Sequence, residues 1–177
     1  MKLLIEHRQK IKEPVHITVG GFDGIHRGHK ELIKELAEKG KKAKAKTMVV
    51  TFNPSPIQYF TNIANTLTDI KEKCTILKET GVDYTWIIPF DENLQKQEAD
   101  FFFKNNIFPY INLKGYHCGA DHGIGRNRQN GIEDIKNIMN RNGIKFYHHD
   151  LKTITGEKIS SSRIREHIRE GTVDIAA

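Results

Sequence analysis

Five short apolar runs, at 15–19, 46–52, 82–89, 111–118 and 144–147, alternate along the chain with five segments of helical periodicity, at 25–40, 68–79, 98–105, 132–142 and 160–170. Strands that never follow one another directly are joined by helical crossovers. Such crossovers are right-handed, make neighbouring strands parallel and lay helices on both faces of the sheet. The alternation therefore predicts an α/β fold, a Rossmann-like doubly wound parallel sheet of about five strands with helices on both faces. A chain of 177 residues suits one domain spanning 1–177, large enough to bury a core without disulfides or metals.

The first unit is the most informative. Val15, Ile17 and Val19 alternate with His16 and Thr18, and two glycines stop the strand. Ile25, Leu32, Ile33, Leu36 and Ala37 then recur at helical spacing, Glu35 and Lys39 form a favourable i, i+4 pair, and Gly40 supplies the stop. Between strand and helix lies Gly20-Gly21-Phe22-Asp23-Gly24-Ile25-His26-Arg27-Gly28-His29. A helix start offers unpaired backbone N–H groups and the positive end of the dipole, so a turn of this kind favours phosphate.

His26 and His29 lie three apart on one side of the first helical turn, where both can face a ligand over the helix start. Imidazole donors placed there suit in-line displacement at phosphorus, in which charge develops on equatorial and leaving oxygens. Two other readings compete. A zinc pair lacks a third ligand and a HExxH pattern, and histidines at a helix start also serve simply to pack or cap.

In an open α/β sheet the ligand lies at the carboxyl ends of the strands, and three loops qualify: the turn at 20–29, the proline loop at 53–56 and the glycine-rich loop at 119–131. The dinucleotide fingerprint GxGxxG and the phosphate loop GxxxxGK[ST] are both missing, which argues against a nicotinamide dehydrogenase or a P-loop nucleotidase. The net charge of +6 is spread over mixed-sign helices and a lysine-rich hinge at 39–46. It points to small anionic substrates rather than nucleic acid. With no apolar stretch of signal-peptide or membrane-spanning length, the expected location is cytoplasmic, without membrane association. Cys74 and Cys118 sit in unlike contexts, a helix and a strand end, so free or buried thiols are expected rather than a disulfide.

His26 to His29 resemble the HxGH signature of the adenylyltransferase superfamily related to class I aminoacyl-tRNA synthetases. The longer string GFDGIHRGH resembles the first motif of bacterial FAD synthetases, in their FMN adenylyltransferase module. Thr51-Phe52-Asn53-Pro54-Ser55-Pro56 resembles that family's TFxPHP segment, and Leu67-Thr68, Lys73 and Gly81-Val82-Asp83 follow its order. Gly119-Ala120-Asp121 through Gly125 is similar to its GxDFRFG loop, and Ile159-Ser160-Ser161-Ser162-Arg163-Ile164-Arg165 to its closing ISSTxIR motif. The order agrees over nearly the whole chain.

The resemblance implies transfer of AMP from ATP to FMN, giving FAD and pyrophosphate by in-line displacement without a covalent intermediate. It implies that His26, His29 and Arg165 act in catalysis, that Gly21, Phe22, Asp23, Gly24, Ser161, Ser162 and Arg163 bind ATP, and that Asn53, Pro54, Pro56, Asp121 and Arg126 lie by FMN. Magnesium would accompany ATP, with no dedicated carboxylate cage in the sequence to hold it. Where bifunctional relatives continue into a riboflavin kinase, this chain ends, so FMN would come from a separate kinase. The departures fall on the acceptor side. Ser55 stands for the family histidine, and His122-Gly123-Ile124 for Phe-Arg-Phe, with Arg126 and Arg128 following in the same loop. Two alternatives follow: a nucleotidyltransferase of the same fold with another phosphate acceptor, or a flavin- or nucleotide-binding protein that has lost catalysis.

Overall fold

The central strands form where β-branched residues cluster, as in IKEPVHITV, KTMVVTFN and YTWIIP. In the computed structural model, which describes residues 1–5, 10–61, 66–120, 122–126, 129–149 and 160–172, the strands are β1 (Lys2–Ile5), β2 (Ile11–Val19), β3 (Lys46–Asn53), β4 (Tyr84–Pro89), β5 (Ile111–Gly119) and β6 (Lys145–His149). All pair in parallel, in the order β1-β4-β3-β2-β5-β6. The chain runs outward from β2 through β3 to β4, then returns past β2 to β5. That reversal places the switch point, and hence the ligand crevice, at the carboxyl end of β2.

The helices are α1 (Arg27–Lys42), α2 (Pro56–Thr61), α3 (Ile70–Glu79), α4 (Glu92–Gln95), α5 (Ala99–Phe102), α6 (Ile132–Arg141) and α7 (Ser161–Arg169), with a π-helical turn at Phe103–Ile107 after α5. Alternation along β3 divides the core. Met48 and Val50 join Phe102, Phe103, Ile107, Ile135 and Met139 on one face, while Val49 joins Leu32, Ile33, Leu36 and Leu77 on the other. Helices therefore cover both faces, as the alternation predicts.

Three details differ from expectation. The sheet has six strands rather than five, because Lys2–Ile5 pairs with β4 at the edge; an edge strand with Leu3 exposed leaves little apolar signal. The proline loop continues directly into α2. The first helix begins at Arg27 rather than Ile25, with His26 as its N-cap.

On the α1 face, β2, β5 and β6 bring three histidines into a row. His16 Nδ1 lies 3.0 Å from His117 Nε2, and His117 Nδ1 lies 2.9 Å from His149 Nε2. Gly115 makes room for it: a Cβ there would stand 2.6 Å from the His16 ring. Tyr147 stacks on His117 at 4.4 Å between centroids. Glu35 and Lys39 of α1, together with Lys145 and His148 of β6, are the charged or titratable groups around the row.

Burial, then the neighbouring His16, His149 and Lys39, push His117 down from 6.5 to about 3. Burial likewise lowers His16 and His149. These bases stay neutral in the fold but take protons once unfolded. For His117 the stabilisation is complete above about pH 6.5 and is lost as pH falls toward 3, with a slope of about 1.4 kcal/mol per pH unit for each differential proton. Urea titrations from pH 7 to pH 4 are expected to show wild-type stability falling steeply. In His117→Gln the slope is expected to be shallower by about one proton. An unchanged slope would show that His117 does not titrate differently in the two states.

Candidate active site

The sheet hydrogen-bonding of β2 runs on to Gly20, whose N–H reaches Val50 O at 3.0 Å. The chain then enters a tight turn in which Phe22, Gly24 and Ile25 all have positive φ, 46°, 76° and 36°. For residues with a Cβ this costs roughly 1–2 kcal/mol each. Phe22 and Ile25 offset the cost by burying their side chains, 4% and 1% exposed, against Leu32, Ile33, Leu36 and Leu77. Gly24 has no alternative, since a Cβ would come within 2.8 Å of Leu67 Cδ1.

Side chains from four other segments fix this turn. From β3, Thr51 Oγ1 donates to Gly21 O at 3.2 Å, and from α3, Lys73 Nζ donates to the same carbonyl at 2.7 Å. The segment before α3 binds twice: Gly24 N donates to Thr68 Oγ1 at 3.1 Å, while Leu67 N and Thr68 N donate to Asp23 Oδ1 at 2.9 and 3.3 Å. Helix α7 completes the arrangement. Ser161 Oγ donates to Asp23 O at 2.8 Å, and Arg165 forms an ion pair with Asp23 Oδ2, both side chains nearly buried. Asp23 is thus the hub that seats the last helix on the first turn.

Beyond the turn, His26 caps α1. Its Nδ1 accepts from His29 N at 3.4 Å, which places the ring proton on Nε2. The two imidazoles stack at 3.8 Å and 18°, and Phe22 packs edge-on against His29 at 5.1 Å. Among the described residues His29 Nδ1 is enclosed without a hydrogen-bond partner. Burial, then His26 and Lys73, push His29 down to about 3, and burial lowers His26 as well. Near neutral pH the pair is uncharged. It can donate N–H groups to an anion without like-charge repulsion between stacked rings.

The expected site residues divide into two groups. Gly21, Phe22, Asp23, Gly24, His26, His29, Ser161 and Arg165 come together at the carboxyl end of β2. Arg163 belongs to the first turn of α7, where its backbone N donates to Ser160 Oγ at 3.3 Å, and Ser162 is exposed beside it. On the proposed acceptor side, Asn53 ends β3 and Pro54 follows it, with Asn53 O accepting from Phe90 N at 3.2 Å, and Pro56 lies next to Gly21. Ser55 is buried and caps α2, its Oγ accepting from Gln58 N at 3.3 Å. Arg126 is exposed, and its backbone N binds Gln97 O at 2.8 Å. Asp121, Arg128 and Ile159 lie outside the described residues.

His122 turns inward to Tyr116 Oη at 2.5 Å, at the rim of a cavity of about 550 Å³ shared with Gly131, Glu133 and Asp134. A larger cavity, about 620 Å³, lies at the opposite end of the sheet beside Ile111 and Ile144 and holds none of these groups. Cys118 is buried, which pushes its thiol up to about 12 and makes it inert. Three contributors carry no assigned role in the sequence reading: Thr51, Thr68 and Lys73. Lys73 had a usable signal, for it stands one helical turn before the buried Leu77, at a position where a helix faces its core.

Fold and site together define a Rossmann-like α/β protein with a tight, glycine-rich turn at the switch point of its sheet. The FAD synthetase family model matches residues 8–163, and the chain belongs to that family. It is 29% identical over 181 residues to the bifunctional riboflavin kinase/FMN adenylyltransferase of Buchnera aphidicola subsp. Schizaphis graminum, covering 99% of this chain and 58% of that protein. Against the Escherichia coli K12 protein of the same description it is 29% identical over 174 residues, 95% of this chain and 54% of the relative. The chain therefore spans a little over half the length of these curated relatives. Among solved structures, a protein described as a macrolide-efflux protein from Streptococcus pneumoniae superposes with a TM-score of 0.76 at 28% identity, over 88% of this chain and 51% of that one. Pantothenate synthetase from Thermus thermophilus shares the fold, with a TM-score of 0.52 at 15% identity over 93% and 64% of the two chains.

Proposed function

We propose that this chain transfers the AMP moiety of ATP to the phosphate of FMN, giving FAD and pyrophosphate. Family membership and the names of the relatives support the reaction. The observation that carries it is the seating of the Ser161 to Arg165 segment on the Asp23 turn, which sets two phosphate-competent helix starts beside a neutral histidine pair.

In this reading an oxygen of the FMN phosphate attacks the α-phosphorus of ATP. The new P–O bond forms as the bond between the α-phosphorus and the bridging oxygen breaks, and the electron pair leaves with pyrophosphate. The acceptor phosphate is already ionised, so the protein need not remove a proton. Its work is positioning and charge stabilisation. His26 Nε2–H and the His29 ring serve the reacting phosphate. The hydroxyls and amides at the start of α7, with Arg165, serve the leaving group. Asn53, Pro54, Pro56, Asp121 and Arg126 are assigned to the flavin side.

Magnesium would offset phosphate charge in such a reaction. The donor set does not favour a resident ion: no group of three or more metal-ligating side chains occurs among the described residues, and both carboxylate oxygens of Asp23 are engaged. The ion is assigned to the nucleotide. No described helix is long and apolar enough to cross a membrane.

Incubation with ATP, magnesium and a panel of phosphate acceptors is expected to yield FAD and pyrophosphate with FMN alone. Turnover of a different acceptor would replace the flavin assignment, and FMN binding without turnover would identify a binding protein. The acceptor side is where such a difference would arise, since Ser55 and His122 are both committed to contacts within the fold.

A further inference from the structure

Lys73 is the most deeply buried cation among the described residues, 3% exposed on α3. Lysines seldom lie so deep without a carboxylate partner. Lys73 has none within ion-pair distance among the described residues. Its ammonium carries three donors, and its one hydrogen bond there goes to the neutral carbonyl of Gly21 at 2.7 Å. Burial lowers its pKa, against a raising influence from Asp23. For stability alone, a methionine at this position would fill the space without stranding N–H groups. The cation instead faces the turn that carries the candidate phosphate site, and its charge is felt at His29.

Two features show what it does there. Gly21 O accepts from Lys73 and from Thr51 Oγ1, so this carbonyl is held on the α3 and β3 side of the turn just before the positive-φ residue Phe22. A carbonyl swung toward the mouth of the turn would repel phosphate oxygens. A fixed positive charge behind the turn also attracts the same oxygens, at a depth where water screens it little.

We propose that Lys73 is a positioning residue of the phosphate site: it pins the Gly21 carbonyl away from the bound triphosphate and supplies a buried counter-charge behind the His26–His29 pair. The inference rests on the nucleotidyltransferase reading but not on the identity of the acceptor. Lys73 acts through Gly21 and through its field, without touching the transferred group.

The test uses the full chain and its variants Lys73→Met and Lys73→Arg, with three readouts. Inorganic tripolyphosphate binding by calorimetry reads the phosphate site without any acceptor, FAD formation reads turnover, and thermal unfolding reads the fold. Lys73→Met is expected to unfold no earlier than wild type, to bind tripolyphosphate about tenfold more weakly and to lose at least thirtyfold in kcat, with KM for FMN within about twofold. Lys73→Arg is expected to recover most of the tripolyphosphate affinity. Should Lys73→Met not fold, NMR titration of His29 in Lys73→Arg, together with its affinity, decides. Wild-type tripolyphosphate affinity in Lys73→Met would overturn the proposal. So would losses that only track a lowered unfolding midpoint, or Lys73→Arg binding no better than Lys73→Met. If wild type makes no FAD from FMN, the acceptor assignment fails while the tripolyphosphate comparison still decides the role of Lys73.

Discussion

His29→Ala is expected to lower kcat for FAD formation by about 10²–10³ while leaving FMN affinity within about twofold. The ring stands at the start of α1, stacked on His26 and edged by Phe22, with one nitrogen enclosed by protein. A group so fixed reorganises little when charge develops on the reacting phosphate, which is where a preplaced donor has most effect. In the proposed reaction its contact is with the nucleotide end of the site, whereas the flavin assignments lie at Asn53, Pro54 and Pro56 and in the loop after β5, so the loss should fall on turnover. Because His29 is held down to about 3, it stays in one protonation state from pH 8 to pH 5. It should therefore contribute no acid limb to the rate in that window. Stopped-assay kinetics of FAD and pyrophosphate formation, with FMN binding followed by flavin fluorescence, check both parts. Turnover near wild type in His29→Ala would remove the histidine from the mechanism.

The sequence made some of these features plain and others invisible, for reasons visible in particular residues. The alternation of apolar runs with amphipathic helices specifies a parallel sheet because crossovers admit little else, and β2 through β6 follow from it. The strand β1 does not, since four residues at a sheet edge with Leu3 exposed bury too little to leave a pattern. The start of α1 is displaced for a local reason: Ile25 is apolar and falls in helical phase, but it is buried in a left-handed turn rather than in the helix. At the site, the turn at 20–29 announces itself through composition. What holds it does not, because Asp23, Thr51, Thr68, Lys73 and Arg165 come from segments up to 142 residues apart. The closing motif marks Arg165 for catalysis by resemblance, but nothing in its position points to Asp23 as a partner. The fold turns it inward onto a carboxylate.

That carboxylate is the second place where one substitution should have a large effect. Asp23→Ala removes the ion pair with Arg165, the acceptor for Leu67 N and Thr68 N, and with them a fixed relation of α7 to the turn. Losing one member of a buried ion pair costs about 3–5 kcal/mol, since the partner charge is left behind in a place where water solvates it poorly. Asp23→Asn is milder in one respect, as its amide oxygen still accepts from Leu67 and Thr68, but it does not balance Arg165 or Lys73. Removing Arg165 instead leaves Asp23 with its two backbone donors. Arg165→Leu should accordingly destabilise less than Asp23→Ala, and the double variant should be less destabilised than the sum of the singles by more than about 1 kcal/mol. Urea unfolding of the four proteins measures that coupling, and tripolyphosphate affinity shows whether the Ser161 to Arg165 segment has left the turn. Strictly additive losses, or Asp23→Ala within about 1 kcal/mol of wild type, would mean that the last helix is seated by contacts other than this pair.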